Sequence, residues 1–142
     1  MEDKTESNTR IEQKETGNYL GLNFIRAPKR NHDAMKQIGQ PFMEWFKKEG
    51  VRPEIYYLGG TSTTDQNEFV PRGLENITKK LSVAEDEELW VLLQFYRDQA
   101  HANQVYSKMM LDESIGQLVK KFDGLITQGS NLIMGGFRHA GL

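Results

Sequence analysis

The sequence has 142 residues, with 18 Lys or Arg, 20 Asp or Glu and a formal net charge of -2 at pH 7. This length suits a single domain whose core needs neither disulfides nor metals, and the absence of cysteine excludes disulfides, thiolate nucleophiles and cysteine metal sites. The charge balance does not indicate a nucleic-acid or anionic-membrane surface. No apolar run approaches the roughly 20 residues of a membrane helix, and the first residues lack the apolar core of a secretory signal. We therefore expect a cytoplasmic protein with no nucleic-acid or membrane partner.

The first 17 residues differ in composition from the rest. Residues 1–17 contain only Met1 and Ile11 as large apolar side chains among many charged and polar ones. Such a segment buries too little apolar surface to offset the entropy lost on ordering. We predict a disordered tail at residues 1–17, followed by one domain at residues 18–142.

Two strands flank a long helix in the first half of the domain. Residues 18–26 alternate apolar side chains with a period of two, which predicts a strand with one apolar inner face. Apolar residues at helical spacing predict a long helix over residues 31–50, with Gly50 as its left-handed C-terminal residue. A second strand is predicted at residues 51–58.

A long polar connection follows at residues 59–87. Only residues 74–81 within it show the apolar spacing of a short helix. Connections of this length in compact domains are usually lids, partner-binding arms or disordered insertions. A passive insertion stays open as an interpretation, because long surface insertions cost little free energy.

A buried strand and an amphipathic helix form the centre of the second half. Residues 89–96 are apolar apart from Gln94 and rich in β-branched and aromatic side chains, as in a buried strand. Asp98 has the side chain of an N-cap, and the apolar residues after it recur at helical spacing. A shorter helical segment at residues 112–122 and a fourth strand at residues 131–139 complete the chain.

The resulting order, β-α-β-β-α-β, is typical of the ferredoxin-like α+β fold, a four-stranded antiparallel sheet with both long helices on one face. On the inner, helix-covered side of the first and third strands we expect Leu20, Leu22, Phe24, Leu89, Val91, Leu93 and Phe95. The other side of the third strand is then too apolar to be left to water; it carries Trp90, Leu92, Gln94 and Tyr96. A second subunit is the simplest cover, and two such sheets face to face form a dimeric α/β barrel with a partly polar interior.

Four short segments carry a family resemblance: Tyr96-Arg97 with Ala100-His101, the pair Met110 and Asp112, Phe122-Asp123-Gly124, and Gly135-Gly136-Phe137. By these segments the chain resembles, over residues 19–137, the YbaA-like family of small uncharacterised bacterial and archaeal proteins in the dimeric α/β barrel superfamily. The resemblance implies a ferredoxin-like subunit, a homodimer and no settled activity. Family members tend to be more basic where Ala102 and Asn103 stand here, so no role for a basic side chain is carried over.

Six polar or aromatic residues are candidates for a ligand site. We expect them to face the barrel interior or to line its mouth: Asn23, Tyr56, Trp90, Gln94, Tyr96 and His139. Such groups can hold a small apolar or aromatic molecule, and amides and hydroxyls can donate to a developing oxyanion. Alternatively, Trp90 and Tyr96 anchor the dimer interface, where amphipathic aromatic residues are common.

Three functions stay open at this point. The first is a dimeric barrel protein that binds a small apolar or aromatic molecule between its sheets. The second is a cofactor-independent monooxygenase-like enzyme that uses the same cavity, since relatives in the superfamily include such enzymes beside haem-degrading, chlorite-dismutase-like and purely binding proteins. The third is a structural homodimer without a ligand cavity. Fold alone does not choose among them.

The three histidines show no metal-binding pattern, because neither HxH nor HxxxH spacing occurs. We predict no metal site and no cofactor, and we assign no catalytic residue. His101 is either a general base or a first-turn residue that packs on the strand end. His32 is expected to cap the first helix.

Overall fold

The structure is a computed structural model that describes residues 16–59, 76–130 and 133–142. Its strands are β1 (Tyr19–Pro28), β2 (Arg52–Gly59), β3 (Glu87–Tyr96) and β4 (Ile133–Arg138), and its helices are α1 (His32–Lys48), α2 (Ile77–Lys80), α3 (Gln99–Leu111) and α4 (Glu113–Asp123). No helix in these ranges is both long and apolar enough to cross a bilayer. The predicted tail at residues 1–17 lies almost wholly outside the described residues, as do residues 60–75 of the predicted 59–87 connection.

The four strands form one antiparallel sheet in the order β2-β3-β1-β4. This confirms the α+β class and the four-stranded antiparallel sheet, and the strand order is compatible with a ferredoxin-like fold. The central strands β1 and β3 pair along their whole length, from Tyr19 opposite Tyr96 to Pro28 opposite Glu87. Their length makes this pair the platform on which the helices pack.

One face of the sheet, here called the covered face, packs against α1, α3 and α4. Trp90 is 3% exposed and packs with Ala27 and Met35, and Tyr96 is 0% exposed and packs with Phe46. The prediction that the side of β3 with these two rings faces a second subunit is therefore wrong. Bulky rings fill the space between a sheet and its helices, and both alternate sets of β3 side chains are apolar, so hydrophobicity does not distinguish the two faces.

The opposite face, here called the open face, carries the residues predicted to lie under the helices. Phe24, Val91 and Tyr56 are direct neighbours across β1, β3 and β2, so their side chains point to the same side. In the part of the chain that the structure describes, Leu89 of this face is buried at 4% exposure. Its other apolar residues stay half-buried or exposed: Leu20, Leu22, Phe24, Tyr56, Leu58, Val91, Leu93, Phe95 and Phe137. The open face, and not the covered face, is therefore the one that leaves apolar surface accessible.

The end of α1 follows the sequence prediction. Gly50 has a φ of 76°, its backbone N–H donates to the Lys47 carbonyl at 3.1 Å, and the Val51 N–H donates to the Phe46 carbonyl at 3.1 Å. This is the Schellman arrangement, in which a left-handed residue just beyond the helix satisfies its last carbonyl groups. Gly50 confirms the predicted left-handed C-terminal residue.

Carboxylates cap α3 and α4, whereas α1 has no side-chain cap. The Asp98 carboxylate accepts from the His101 backbone N–H at 2.7 Å, as predicted. The Asp112 carboxylate caps α4 and also accepts from the Trp45 indole N–H at 3.0 Å, which ties α1 to the α3–α4 junction. The prediction that His32 caps α1 is wrong, because the start of this helix makes no side-chain capping bond.

Candidate functional site

A cavity of about 160 Å³ lies between the covered face of the sheet and the helices α1, α3 and α4. Strand residues form one wall: Asn23, Ile25, Pro53, Glu54, Ile55, Trp90, Leu92, Leu93 and Gln94. Helix residues form the other: Met35, Ile38, Gly39, Phe42, Met43, Phe46, Tyr106, Met109, Val119 and Phe122. Most of these side chains are apolar, which is the usual character of a small-molecule pocket.

Two features of the helices shape this cavity. Helix α1 approaches β2 closely at Gly39, where an added Cβ would lie 3.2 Å from Ile55 Cδ1. One turn further along, the Phe42 ring meets the Phe122 ring of α4 edge to face, with centroids 6.1 Å apart. The cavity wall is therefore helix backbone at Gly39 and aromatic at the Phe42–Phe122 pair.

Asn23 of β1 and Gln94 of β3, here called the amide pair, form the polar part of the sheet wall. Asn23 lies opposite Leu92, two residues from Gln94, and its Nδ2 donates to Gln94 Oε1 at 3.4 Å, a long hydrogen bond. Gly21 lies opposite Gln94 and makes room for it, since an added Cβ there would lie 3.1 Å from Gln94 Oε1. Gln94 is only 5% exposed and Asn23 is half-buried, so the buried end of the amide pair is Gln94.

Two buried donors of β3 make no hydrogen bond of standard geometry among the described residues: Trp90 Nε1 and the Tyr96 hydroxyl. The Tyr96 hydroxyl does interact with the nearby hydroxyl of Tyr106. Trp90 lines the cavity, whereas Tyr96 packs beside it, between the sheet and α3. Burial, followed by the nearby Tyr106 hydroxyl, raises the pKa of Tyr96 above its usual value. Burial also raises the pKa of Tyr106, which lines the cavity. Both phenols therefore stay protonated at neutral pH.

The cavity receives no charged side chain from the described residues. Glu54 contributes to its wall, but it lies opposite Leu93 of β3, so its side chain belongs to the open face. An ion entering the cavity would lose its hydration without meeting a counter-charge. The arrangement suits a neutral molecule.

The structure brings together three of the six predicted ligand residues: Asn23, Trp90 and Gln94. They meet under the helices, within one subunit, and not between two sheets. Tyr96 is buried beside the cavity, and Tyr56, which is 54% exposed, lies on the open face. His139 is exposed beyond β4, where its Nδ1 accepts from the Gly141 N–H at 2.9 Å. Tyr56 and His139 therefore do not lie with the other predicted ligand residues.

The helix wall of the cavity was not predicted as part of a site. Met35, Phe42, Tyr106 and Phe122 all line it. Their helical spacing marks them as inward-facing, but a completely filled core requires the same pattern. The space left between them depends on how the helices sit on the sheet, which the spacing does not report.

Beside the cavity, the Trp90 ring packs against His32, and His32 in turn contacts the carboxylate of Glu88, 56 positions away in the sequence. His32 Nδ1 lies 2.9 Å from both carboxylate oxygens of Glu88, which is 7% exposed. The His32 ring centroid is 4.6 Å from that of Tyr57 and 5.4 Å from that of Trp90. The imidazole thus gives the buried carboxylate a partner, and this group holds Trp90 in place.

His101 has a structural role at the start of α3. Its Nε2 donates to the Glu49 carbonyl at 2.7 Å, and its Nδ1 accepts from the Arg97 N–H at 3.1 Å. A carbonyl oxygen only accepts and a backbone N–H only donates, so these two bonds specify the neutral tautomer with its proton on Nε2. Both ring nitrogens are engaged, which favours packing on the strand end over general-base catalysis.

Neither metal ligation nor known relatives add a further assignment. In residues 16–59, 76–130 and 133–142, no group of three or more His, Cys, Asp or Glu side chains is arranged to hold a metal ion. No model of a known protein family and no curated protein matches this chain. The cavity, the amide pair and the open face of the sheet are therefore the features of the described residues that bear on function.

Proposed function

We propose that this protein is a homodimeric α/β barrel protein, with a ferredoxin-like subunit, that binds a small apolar or aromatic molecule in the cavity of each subunit. The observation that carries the proposal is an apolar cavity of about 160 Å³ with an amide pair in one wall. An engineered protein cavity of about 150 Å³ lined by apolar side chains accepts benzene. The cavity is therefore large enough for one aromatic ring.

The dimer is supported by the open face of the sheet. Tyr56 is 54% exposed and Phe137 is 52% exposed on this face, among the half-buried apolar side chains of β1 and β3. Continuous apolar patches of this kind mark interaction surfaces. In a dimer with two-fold symmetry, the open face of one subunit packs against the open face of the other. Two sheets packed in this way form the barrel.

The location of the binding site differs from the one expected from the sequence. The sheet separates the two surfaces: the cavity lies on the covered face and the dimer contact on the open face. Ligand binding and dimerisation are then independent, and a subunit interface filled with side chains does not exclude a ligand.

The first test is isothermal titration calorimetry with toluene, a neutral single-ring probe. We expect saturable binding at one site per subunit. Leu92→Phe extends a side chain of the cavity wall into the space, so it should weaken toluene binding at least tenfold. Leu22→Phe is the matched control, because Leu22 does not line the cavity and its side chain lies on the open face, opposite Leu93; toluene binding should stay unchanged. Native mass spectrometry of the same samples reports the subunit number and any ligand retained through purification.

The outcome of this pair is decisive in either direction. If toluene gives no saturable heat with the folded wild-type protein, or if Leu92→Phe and Leu22→Phe behave alike, the cavity is not a binding site. The structural homodimer without a ligand then becomes the better description.

A cofactor-independent monooxygenase-like activity is the second candidate. It is favoured by the amide pair and the protonated Tyr106 hydroxyl, because such donors beside a bound aromatic ring can stabilise an oxyanion. With an identified substrate, Gln94→Met should lower turnover while the dimer stays intact. Unchanged turnover would remove this assignment.

A further inference from the structure

We infer that the cavity selects an uncharged, single-ring aromatic molecule whose polar edge carries one hydrogen-bond donor beside one acceptor, as in an aromatic primary amide or a lactam. This inference depends on the proposed function, since it specifies the chemistry of the molecule that the cavity binds. It is carried by the hydrogen-bond polarity of the amide pair, by the shape of the cavity and by its lack of charge.

The hydrogen bond within the amide pair fixes what the pair offers to a ligand. Asn23 Nδ2 is the donor and Gln94 Oε1 is the acceptor in this bond. The groups left over are the acceptor Oδ1 of Asn23 and the donor Nε2 of Gln94. Neither makes another side-chain hydrogen bond within the described residues. One acceptor beside one donor is complementary to a ligand edge that presents a donor and an acceptor together.

The surroundings hold the amide pair in this arrangement. Asn23 and Gln94 stand on paired central strands, as diagonal neighbours on the same face. Gly21 leaves the Gln94 side chain the space to lie along the sheet, and the Tyr96 ring bounds that space, since an added Cβ at Gly21 would also lie 3.3 Å from Tyr96 Cε2. A polar pair that is held before binding loses little entropy when a ligand arrives.

The remaining walls favour a flat ring. Trp90, Phe42, Phe122 and Tyr106 present aromatic side chains to the space, and aromatic pairs gain from edge-to-face and offset-stacked contacts. At about 160 Å³ the cavity has room for one ring with a small substituent.

Among the described residues, the one charged lining residue, Glu54, has its side chain on the open face, so the cavity offers no counter-charge to an ion. A carboxylate or an ammonium group would leave water without gaining an ion pair, which costs far more than transferring a neutral amide that meets its hydrogen-bond partners. An aromatic amide should therefore bind, whereas the aromatic acid of the same shape should not.

The test compares three probes of similar size, benzamide, toluene and benzoate, by isothermal titration calorimetry at pH 7 with the full-length wild-type protein. We expect benzamide to bind at least tenfold more tightly than toluene and benzoate to give no saturable heat. Gln94→Met keeps the length of the side chain and removes its amide, so benzamide should weaken at least tenfold while toluene changes less than about threefold. Gln104→Met makes the same change on the exposed surface of α3 and should alter neither value.

These outcomes separate the inference from the proposed function. If toluene binds as tightly as benzamide, or if Gln94→Met leaves their ratio unchanged, the inference is wrong while the cavity remains a binding site. If benzoate binds best, the claim of an uncharged ligand is wrong. If no probe binds to protein whose circular dichroism spectrum is that of the folded chain, both proposals fail together.

Discussion

Single residues of β3 carry polar atoms that the fold buries without hydrogen bonds of standard geometry. The Tyr96 hydroxyl is one, and the Trp90 indole N–H is another. A buried polar group without a hydrogen bond costs roughly 1–3 kcal/mol. Trp90 borders the cavity, whereas the Tyr96 ring is part of the core. The packing of its ring therefore explains the burial of Tyr96 better than its hydroxyl does.

Replacing Tyr96 by Phe tests this reasoning. The ring and its packing stay, and only a hydroxyl without a hydrogen bond of standard geometry is lost, so we expect the free energy of unfolding at pH 7 to stay the same or to rise by up to about 1 kcal/mol. Because burial raises the pKa of Tyr96, the unfolded chain ionises first as the pH rises above 10.0, and the wild type loses stability there. Urea denaturation at pH 7 and pH 11 should show a smaller alkaline loss for Tyr96→Phe. A clear loss of stability at pH 7 would mean that the hydroxyl makes a stabilising hydrogen bond.

Glu87, at the start of β3, is a buried carboxylate with well-placed partners. It is 8% exposed, accepts from the Thr127 hydroxyl and, at 2.9 Å, from the Ala84 N–H, and Arg26 Nη1 lies 3.8 Å from its Oε1. Burial acts to raise the pKa of Glu87, but these partners outweigh it and hold the pKa below the usual 4.5. The carboxylate therefore links β3 to β1 and to the loop after α4.

The pH dependence of stability follows from the direction of this shift. The folded pKa of Glu87 lies below the unfolded value, so its contribution is fully present above about pH 4.5 and is lost as the pH falls through the folded pKa. Thr127→Val removes one donor and should cost about 1.5–3 kcal/mol at pH 7, the range for a hydrogen bond to a charged group. The difference from the wild type should shrink at pH 3.

Urea denaturation at the two pH values measures this effect, and Thr127→Ser, which keeps the hydroxyl, is its control. Thr127→Ser should follow the wild type more closely than Thr127→Val at pH 7. A deficit of Thr127→Val that is the same at pH 7 and pH 3 would contradict the role of the hydrogen bond in lowering the pKa of Glu87.

At the scale of elements, α1 and α2 end in the same motif with different residues. Beyond α2, the Ser82 N–H donates to the Lys79 carbonyl at 3.2 Å and the Val83 N–H donates to the Thr78 carbonyl at 2.9 Å. Ser82 has a φ of 56°, and the residue at the corresponding position after α1 is Gly50. A left-handed conformation costs a non-glycine residue roughly 1–2 kcal/mol, which glycine avoids.

Ser82→Gly should therefore stabilise the protein. Glycine loses more backbone entropy on folding, which offsets part of the gain, so we expect an increase of about 0.5–1 kcal/mol in the free energy of unfolding. The bond from Arg26 Nη1 to the Ser82 carbonyl, at 3.0 Å, involves only backbone at residue 82 and survives the change. Thermal and urea denaturation measure the effect. Ser82→Ala keeps the strained conformation and should show no gain, whereas equal gains in both variants would contradict the explanation.

The whole molecule is organised by the two faces of one sheet. The covered face supports the core and the cavity, and the open face presents apolar side chains that the described part of a single chain leaves half-buried or exposed. Arg52 lies on this face with its guanidinium 4.2 Å from the Phe95 ring centroid, a cation–π contact that partly shields one end of the surface. The proposed dimer contact is therefore at the centre of the open face.

Val91→Lys places a charge at that centre, between Phe24 and Tyr56. A charge buried in an apolar interface without a partner strongly opposes association, so we expect a folded monomer. Met110→Lys is the matched control, because Met110 is 83% exposed on α3, away from the sheet; it should remain a dimer. Analytical ultracentrifugation measures both. A dimer of Val91→Lys as stable as that of the wild type would show that another surface mediates assembly.

The features that the sequence predicted correctly depend on neighbouring residues. The apolar period identified the strands and long helices, Asp98 was recognisable as an N-cap, and Gly50 was recognisable as a left-handed helix terminus. Each signal lies within a few positions of the structure that it predicts, since backbone geometry and local hydrogen bonding require particular side chains there.

The features that the sequence left undecided depend on residues far apart in the chain. Both alternate sets of β3 are apolar, so only the docking of the helices determined that Trp90 and Tyr96 face inward. His32 and Glu88 meet across 56 positions, and no local pattern pairs them.

By itself, then, the sequence determined the elements, their order and the class of fold, because local periodicity and capping specify them. The tertiary structure alone decided which face of the sheet is covered and where the amide pair lies. Docking distances between layers, and not the pattern of apolar residues, determine whether inward-facing side chains fill their space or leave a cavity.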